Sequence, residues 1–457
     1  MLPHIPALRL GRPYESLDQT AVNDCCTGAA RATVSQVNAG IIRKDLQKIA
    51  ASRAALKQFT GARLIELCGR AGEIFLNAND PSQYIATLSA TSGLPHALVR
   101  RNMQRIHAML ANIGPVLRGL TRGLDLDDPH SPYCFFPATG GLGLVLPSNS
   151  PSVNSLWLPA IALRIPVIIK PGRDEPWTPY RLIQSFIAAG VPAEAFGFYP
   201  TDHEGADTIL RLCGRALIFG DKNTTEKYAG NPAIQVHGPG YSKVLIGVDQ
   251  IDRWPEFIEV IADSIAANGG RSCLCASAIV VPAHADAIAE ALAKRLGPVA
   301  PLPPEDDQAT LSGFANPKMA EAIQAGIEEG LTVPGAVDVA AHYRGGPRLV
   351  NFQGGTYLRP TIVRCDSFAH PLANREFLFP YASVVEVPQE KMLEQIGPSL
   401  VVTAITRDER WIEQLKESAQ IDRLNIGPIS TMKISWDQPH EGNLFEFLYK
   451  RRALERA

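Results

Sequence analysis

The chain has 457 residues, of which 46% are hydrophobic and 20% charged, a balance typical of folded globular proteins and not of disordered ones. Its 44 Lys and Arg residues stand against 46 Asp and Glu, so there is no basic surplus with which to bind nucleic acid. At roughly 100–200 residues per domain, the length predicts two or three domains.

Membrane, secretion and metal signals are missing from the sequence. No apolar run reaches the roughly 18–20 residues of a membrane span, and the longest candidate, residues 156–170, is broken by two prolines and an arginine. The N-terminus lacks the basic-then-apolar order of a secretory signal, so we expect a cytoplasmic protein. The eight cysteines form no Cys-x-x-Cys pair beside histidines, which predicts neither a disulfide framework nor a zinc site.

The pattern of apolar residues changes along the chain. Spacings of three and four predict helices over 64–76 and 97–113, so the stretch to about residue 125 is expected to be mostly helical. From residue 133 onward, short apolar runs alternate with helical segments, which predicts an α/β fold with parallel sheets. Predicted strands in this part include 141–147, 165–171, 215–220, 241–247, 277–282, 357–363, 382–388 and 400–406. Two α/β domains that join near residues 246–275 are the simplest division.

One cysteine lies in a glycine-rich turn. The sequence NGGRSC places Cys273 after a predicted helix and before a predicted strand. Adjacent glycines allow close approach of a ligand to the backbone, and Arg271 is placed to favour the thiolate. A covalent nucleophile is one interpretation. A small buried hydrophobic residue is the other, and on spacing alone it is the more common fate of an intracellular cysteine.

Read together in chain order, several segments resemble the aldehyde dehydrogenase superfamily. NGGRSC is similar to the family's Asn-x-Gly-Gln-x-Cys motif, with Cys273 as the nucleophile and Arg271 where Gln is usual. PSNSP resembles the Pro-Trp-Asn-x-Pro turn, so the resemblance implies that Asn149 forms the oxyanion hole with the backbone N–H of Cys273. The implied fold is two Rossmann-like α/β domains.

The resemblance also implies an NAD(P)(H) site. VIIKPGRDEP is similar to the family's cofactor strand, whose lysine is here Lys170, and NREFLFP places Glu376 where a carboxylate holds the nicotinamide ribose. The resemblance also implies that Pro147, Gly220, Thr224 and Phe379 contact the cofactor. The implied domains are 1–246 for a helical segment and the cofactor-binding domain, 247–425 for the catalytic domain, and 426–457 for a segment that returns to the cofactor domain or a dimer interface.

The first departure from the family pattern concerns the reaction. Hydrolytic members have a glutamate that activates water, and Val236 or His237 stands at that place. Members that exchange their thioester with CoA lack this base, so the sequence favours interconversion of an acyl thioester, acyl-CoA above all, with an aldehyde. One alternative is hydrolytic oxidation of an aldehyde with His237 as the base. A second alternative is a catalytically lapsed binding subunit.

Other departures concern the cofactor and the C-terminus. Arg173 stands where NAD-preferring relatives often carry glutamate, and a guanidinium suits the 2′-phosphate of NADP(H). The C-terminal segment differs from the family's usual ending, and its His440 and Glu441 are candidates to reach the substrate funnel. The expected partners are a small aldehyde or acyl thioester and a second copy of the chain in a homodimer.

Overall fold

The computed structural model of the protein describes residues 2–78, 80–128, 131 and 133–455. Two seven-stranded sheets organise these residues, with helices packed against them. Within the described ranges, no helix is both long and apolar enough to cross a lipid bilayer. The α/β fold predicted from the sequence is confirmed.

The chain opens with short strands, so the expectation of a helical beginning is wrong for the first residues. The strands are β1 (His4–Ile5), β2 (Ala7–Arg9), β3 (Arg12–Tyr14), β4 (Gln19–Asn23) and β5 (Ala30–Ser35). Three of them form a sheet in the order β1-β5-β4, while β2 and β3 extend the edge of the first large sheet. Each strand is short, and β1 pairs with the more distant β5 while β2 pairs with β9 as well as with its neighbour β3, so local periodicity does not reveal them.

Helices then follow as predicted. They are α1 (Ala39–Leu46), α2 (Ile49–Lys57), α3 (Gly61–Asn77), α4 (Pro81–Ser92), α5 (His96–Ala111) and α6 (Ile113–Leu120). The helix predicted over 64–76 lies within α3, which Thr60 caps by accepting a hydrogen bond from the N–H of Arg63. The helix predicted over 97–113 ends at Ala111, and α6 begins at Ile113.

The first large sheet has the strand order β11-β10-β7-β8-β9-β2-β3. Its elements are β7 (Gly141–Val145), α7 (Pro159–Ala162), β8 (Val167–Lys170), α8 (Trp177–Ala189), β9 (Phe196–Phe198), α9 (His203–Leu212), β10 (Gly214–Phe219), α10 (Lys222–Tyr228) and β11 (Ile234–His237), with 3₁₀ turns at Pro151–Leu156 and Ala193–Ala195. Strands β7 to β11 are parallel. Their carboxyl ends therefore meet at one edge of the sheet.

The second large sheet has the order β14-β17-β18-β13-β12-β19-β20. Its elements are β12 (Lys243–Ile246), α11 (Ile258–Ala266), β13 (Ala278–Val281), α12 (Ala285–Leu296), α13 (Pro317–Leu331), β14 (Ala336–Asp338), α14 (Ala341–Arg344), β17 (Thr361–Cys365), β18 (Tyr381–Glu386), α15 (Gln389–Gln395), β19 (Ser399–Ile405), α16 (Glu409–Glu417) and β20 (Ile421–Ile426), with 3₁₀ turns at Ile251–Phe257 and Ala267–Gly270. The strand predicted over 357–363 is divided between β17 and a hairpin of β15 (Leu349–Phe352) with β16 (Gly355–Leu358). Pro360, which has no N–H to donate, lies at the break.

The C-terminal segment returns to the first half of the molecule. Helix α17 (Leu444–Leu448) buries Phe445 and Leu448 in the core of that half, and β21 (Tyr449–Arg452) pairs with β6 (Cys134–Pro137). Strand β12 already belongs to the second sheet, so the change of sheet precedes the boundary expected after residue 246. The division into domains at 246 and 425 stays a prediction.

Candidate active site

A cavity of about 880 Å³ is lined by residues from both halves of the chain. In the first half, its wall lies at the carboxyl ends of parallel strands: residues 147–150 follow β7, Gly220 follows β10, and His237 ends β11. Ligands of parallel α/β sheets bind at this edge. The second half contributes residues from 268–274, 376–378 and 432–441.

The cysteine turn, residues 268–273, connects α11 to the segment that leads into β13. Its backbone is left-handed at Asn268, Gly269 and Gly270, with φ of 53°, 67° and 72°. A Cβ on Gly270 would lie 2.2 Å from the carbonyl carbon of Phe379, and a Cβ on Gly269 would lie 2.2 Å from Ser312 Oγ. Both positions therefore require glycine, because the turn is pressed against the protein's own atoms.

Cys273 lies half-buried in the cavity wall. Burial raises the pKa of its thiol well above the usual value, and the carboxylates of Glu441 and Glu376 raise it further. Its carbonyl oxygen accepts a hydrogen bond of 2.7 Å from Ser242 Oγ. The resting thiol is thus protonated, and its attack on a carbonyl requires removal of the proton.

Arg271 does not supply the positive charge that the sequence suggested. Its guanidinium donates to the carbonyl oxygens of Ser92, at 2.6 Å, and Gly313, and it lies 5.3 Å from the centroid of the Phe314 ring. Burial lowers the pKa of Arg271 to about 10. The expectation that Arg271 favours the thiolate of Cys273 is wrong, because its guanidinium donates hydrogen bonds to two backbone carbonyls. The bond to Ser92 holds the cysteine turn against the end of α4.

A buried amide that sequence reasoning missed joins the two sides of the site. Asn102 of α5 donates from Nδ2 to Asn268 Oδ1 at 2.8 Å, and its Oδ1 accepts from Ser150 Oγ at 3.1 Å and from the N–H of Ser152 at 3.2 Å. It thereby couples the cysteine turn to the segment that carries Asn149. Such a shared contact fixes the separation of the proposed nucleophile from its oxyanion donor.

Asn149 lies in the cavity wall, and its side-chain Oδ1 is buried without a hydrogen-bond partner among the described residues. Oδ1 accepts hydrogen bonds, so this atom suits a ligand that donates one, whereas an oxyanion would be bound by the Nδ2–H of Asn149. Asn149 and Cys273 both line this cavity, as the predicted oxyanion hole requires.

His237 and Glu441 also line this cavity and contact each other in a largely buried pair. The exposed side-chain fractions are 4% for His237 and 16% for Glu441, and His237 Nδ1 contacts Glu441 Oε2. The imidazole stacks on Phe219 with ring centroids 4.5 Å apart. Its Nε2 is buried and has no partner among the described residues. Burial works to raise the pKa of Glu441, but the neighbouring His237 imidazole and its hydrogen bond outweigh burial and leave that pKa below its ordinary value.

The cofactor residues predicted from the sequence divide into two groups. Pro147, Gly220 and Glu376 line the cavity. Glu376 Oε2 accepts a hydrogen bond of 2.6 Å from the N–H of Tyr241, and burial raises the pKa of Glu376 to about 8. A carboxyl group held in this way can exchange hydrogen bonds with a ribose hydroxyl in either protonation state.

The other predicted residues lie outside this wall. Lys170, at the end of β8, is half-buried; burial lowers its pKa, and Asp174 opposes the shift. Arg173 is exposed. Thr224 gives its N–H to Asp221 Oδ1 at 2.9 Å, so a carboxylate already caps α10. Phe379 is packed in the core of the second half.

Two glycines beside these strand ends are packed closely against the protein's own atoms. A Cβ on Gly172 would lie 2.5 Å from the carbonyl oxygen of Pro147, and a Cβ on Gly220 would lie 2.6 Å from Thr224 Cβ. Both glycines keep the backbone close-packed beside the carboxyl edge of the sheet, where the cavity opens. Across the described ranges, no group of three or more His, Cys, Asp or Glu residues is placed to hold a metal ion.

Comparisons with known proteins identify the family of the chain. The aldehyde dehydrogenase family model matches residues 13–399. The 5-carboxymethyl-2-hydroxymuconate semialdehyde dehydrogenase of Escherichia coli is 25% identical over 373 residues, 75% of each chain. The aminoacetaldehyde dehydrogenase of Pseudomonas aeruginosa is 26% identical over 264 residues, and the match spans 50% of its length. A Staphylococcus haemolyticus protein that carries the aldehyde dehydrogenase name is matched over 63% of its length.

Solved structures share the fold. Aldehyde dehydrogenase 21 of Physcomitrella patens superposes with a TM-score of 0.81 over 99% of this chain and 98% of that one, at 16% sequence identity. The aldehyde dehydrogenase KauB of Pseudomonas aeruginosa gives a TM-score of 0.81 over 99% and 96%, at 17% identity. Since the family match covers most of the sequence and the fold agrees over nearly its whole length, the chain belongs to the aldehyde dehydrogenase family.

Proposed function

We propose that the protein oxidises an aldehyde with NAD(P)⁺ through a covalent bond between the substrate carbonyl carbon and Cys273. The observation that carries this proposal is that Cys273, Asn149 and Glu376, which lie far apart in sequence, line one cavity. Bound NAD(P)⁺ supplies the hydride acceptor.

The chain's own groups provide the remaining steps. The Cys273 thiol loses its proton to solvent, its sulfur adds to the carbonyl carbon, and the Asn149 Nδ2–H with the Cys273 N–H stabilises the oxyanion that forms. Loss of hydride from that carbon leaves a thioester on Cys273. Glu376 would hold a ribose of the cofactor by its hydroxyl groups, and Lys170 with Arg173 would meet its adenosine half. The exposed guanidinium of Arg173 supports acceptance of NADP(H) as well as NAD(H).

Interconversion of an acyl thioester with an aldehyde is the second candidate, with CoA as co-substrate. Its support is that neither Val236 nor His237 provides a carboxylate at the place where hydrolytic relatives carry their base. Homodimer formation and a cytoplasmic location are further proposals that the family resemblance carries. Light scattering of the purified protein tests the first of these two.

The test of the proposed function gives the protein a series of short aldehydes with NAD⁺ or NADP⁺, with and without CoA, and follows nicotinamide absorbance. Cys273→Ala should remove turnover, whereas Cys134→Ala, which changes a half-buried thiol outside the cavity, should retain it. Turnover by Cys273→Ala at the wild-type rate overturns the proposal. So does the absence of reduced cofactor with every aldehyde.

A further inference from the structure

We propose that His237, oriented by Glu441, is the base that delivers water to the thioester on Cys273, so that the product is a carboxylic acid. This inference rests on the proposed function, because it needs an acyl group on Cys273. It goes further by naming the acyl acceptor and the two side chains that select it.

The contact with Glu441 selects the tautomer of the neutral imidazole. Glu441 is buried and its carboxylate contacts His237 Nδ1. A carboxylate accepts hydrogen bonds, so the neutral ring carries its proton on Nδ1 and presents a lone pair at Nε2. That nitrogen is buried and has no partner among the described residues. The Phe219 ring, stacked at 4.5 Å and 14°, fixes the plane of the imidazole.

The loop that carries Glu441 is built to hold it in place. The C-terminal loop, residues 437–443, has left-handed backbone at Glu441, with φ of 50°, followed by Gly442 with φ of 105°. Gln235 Nε2 donates to the carbonyl oxygen of Glu441, and Arg423 Nη1 donates to that of Pro439 at 2.5 Å. A non-glycine residue at positive φ has a strained backbone, and such strained residues cluster at functional sites.

The neighbouring histidine is less suited to the same task. His440 also lines the cavity. Burial lowers its pKa to about 4. Its Nδ1 has no partner among the described residues, so no carboxylate orients that ring. A base without an orienting group lacks the arrangement in which nucleophile, base and third residue act together. The structure provides that arrangement for His237 alone among the histidines of the cavity wall.

The proposed step is balanced without an added oxidant or reductant. Water attacks the thioester carbon and gives a proton to His237 Nε2, while the Asn149 amide and the Cys273 N–H receive the oxyanion. Collapse of the tetrahedral species breaks the C–S bond and releases the acid. The Cys273 sulfur leaves as thiolate and recovers the proton from His237. Glu441 stabilises the imidazolium during the exchange, which makes it a positioning residue.

The test compares wild-type protein with His237→Gln and Glu441→Gln, using an aldehyde and cofactor that the wild type accepts. Steady-state turnover should fall about 10²–10⁴-fold in His237→Gln, the usual contribution of a general base, and less in Glu441→Gln. Intact-mass measurement should show acyl groups accumulating on Cys273 in both variants. Glu441→Asp should recover part of the lost rate, which a purely structural role does not predict.

Hydroxylamine separates loss of the base from loss of the fold. This neutral amine attacks a thioester without a general base, so it should restore turnover to both variants and to none that lack Cys273. His107→Gln is the matched control, because His107 Nε2 contacts Glu73 Oε1 at 2.6 Å outside the cavity. It should behave as wild type.

Three results overturn the inference while the proposed function stands. In the first, His237→Gln turns over at the wild-type rate. In the second, the wild type releases product only when CoA is supplied. In the third, the variants fold but lose turnover without accumulating acyl enzyme. If His237→Gln fails to fold, Glu441→Gln at the cavity wall answers the same question. Failure of the wild type to reduce the cofactor or acylate Cys273 with any aldehyde instead overturns the proposed function.

Discussion

The cysteine turn and the C-terminal loop both line one cavity, but they are held there differently. The cysteine turn is anchored by groups that are themselves buried: the Asn102 amide, the Arg271 guanidinium and the backbone beside Phe379. Most of the C-terminal loop is exposed, and a few hydrogen bonds hold it, among them the contact of Gln235 with the carbonyl oxygen of Glu441.

This difference separates two demands on the site. A nucleophile must keep a fixed distance from its oxyanion donors, so its turn belongs to the rigid core. A loop that is mostly exposed can contribute a charged side chain and still move as substrate enters. Damage to the cysteine turn is therefore expected to reduce both stability and activity, whereas damage to the C-terminal loop is expected to reduce activity alone.

The largest effect is expected from Gly270→Ala in the cysteine turn. The new Cβ would meet the carbonyl carbon of Phe379 at 2.2 Å on a backbone with φ of 72°, so we expect a loss of about 3 kcal/mol or more of unfolding free energy. Aldehyde oxidation should fall by about 100-fold or more as Cys273 moves. Urea unfolding and steady-state kinetics measure the two losses.

Gly397→Ala is the control for this change. It has a similar φ of 64° and no atom within 4 Å of the new Cβ, so it should cost only the conformational strain of about 1 kcal/mol. Equal destabilisation by both substitutions would contradict the claim that close packing holds the cysteine turn.

The next effect in size is that of Asn102→Ala. It removes the amide shared by Asn268, Ser150 and Ser152 and leaves their polar atoms buried without this partner, which should cost about 2 kcal/mol of unfolding free energy. Turnover should fall by about 30-fold, because Asn149 and Cys273 lose their common support. The exposed Asn77→Ala should change stability by less than about 0.5 kcal/mol.

The thiol of Cys273 provides a prediction on pH. Because burial and two carboxylates raise its pKa, the thiolate is scarce at pH 7, and alkylation by iodoacetamide should accelerate about tenfold for each unit of rising pH. The rate is measured on the cofactor-free protein by mapping the Cys273 peptide, with free N-acetylcysteine as the reference. A plateau below pH 8 would mean that the protein stabilises the thiolate.

How much the sequence predicts depends on whether a signal is local. The Cys273 motif, the α/β alternation and the helix around residues 64–76 are each contained in one stretch of chain, and all are present in the structure. Asn102 left a weaker signal. It is a polar residue on the face of α5 that buries Val99, Met103 and Ile106, and a buried polar side chain normally has a hydrogen-bond partner.

The remaining parts depend on contacts between distant residues. Glu441 reaches His237 from the far end of the chain, so the residues around position 237 show no carboxylate although the folded site contains one. Arg271 stands beside Cys273 in sequence, yet its guanidinium is turned to the carbonyls of Ser92 and Gly313. The position of Arg271 next to Cys273 in the sequence therefore led to a wrong expectation for the charge at Cys273. The large separation of Glu441 from His237 in the sequence hid the contact between them.

The smallest effect is expected from Gln235→Ala in β11, whose side chain contacts the C-terminal loop. It removes the donor to the carbonyl oxygen of Glu441, so Glu441 should hold His237 less often in the productive orientation, and turnover should fall by about fivefold, equal to roughly 1 kcal/mol. The free energy of unfolding should change by less than about 1 kcal/mol, because the side chain of Gln235 is only half-buried. The exposed Gln438→Ala in the same loop should change neither quantity. A loss of stability in Gln235→Ala as large as that in Asn102→Ala would show that the C-terminal loop is as much part of the core as the cysteine turn, and the contrast between the two regions would fail.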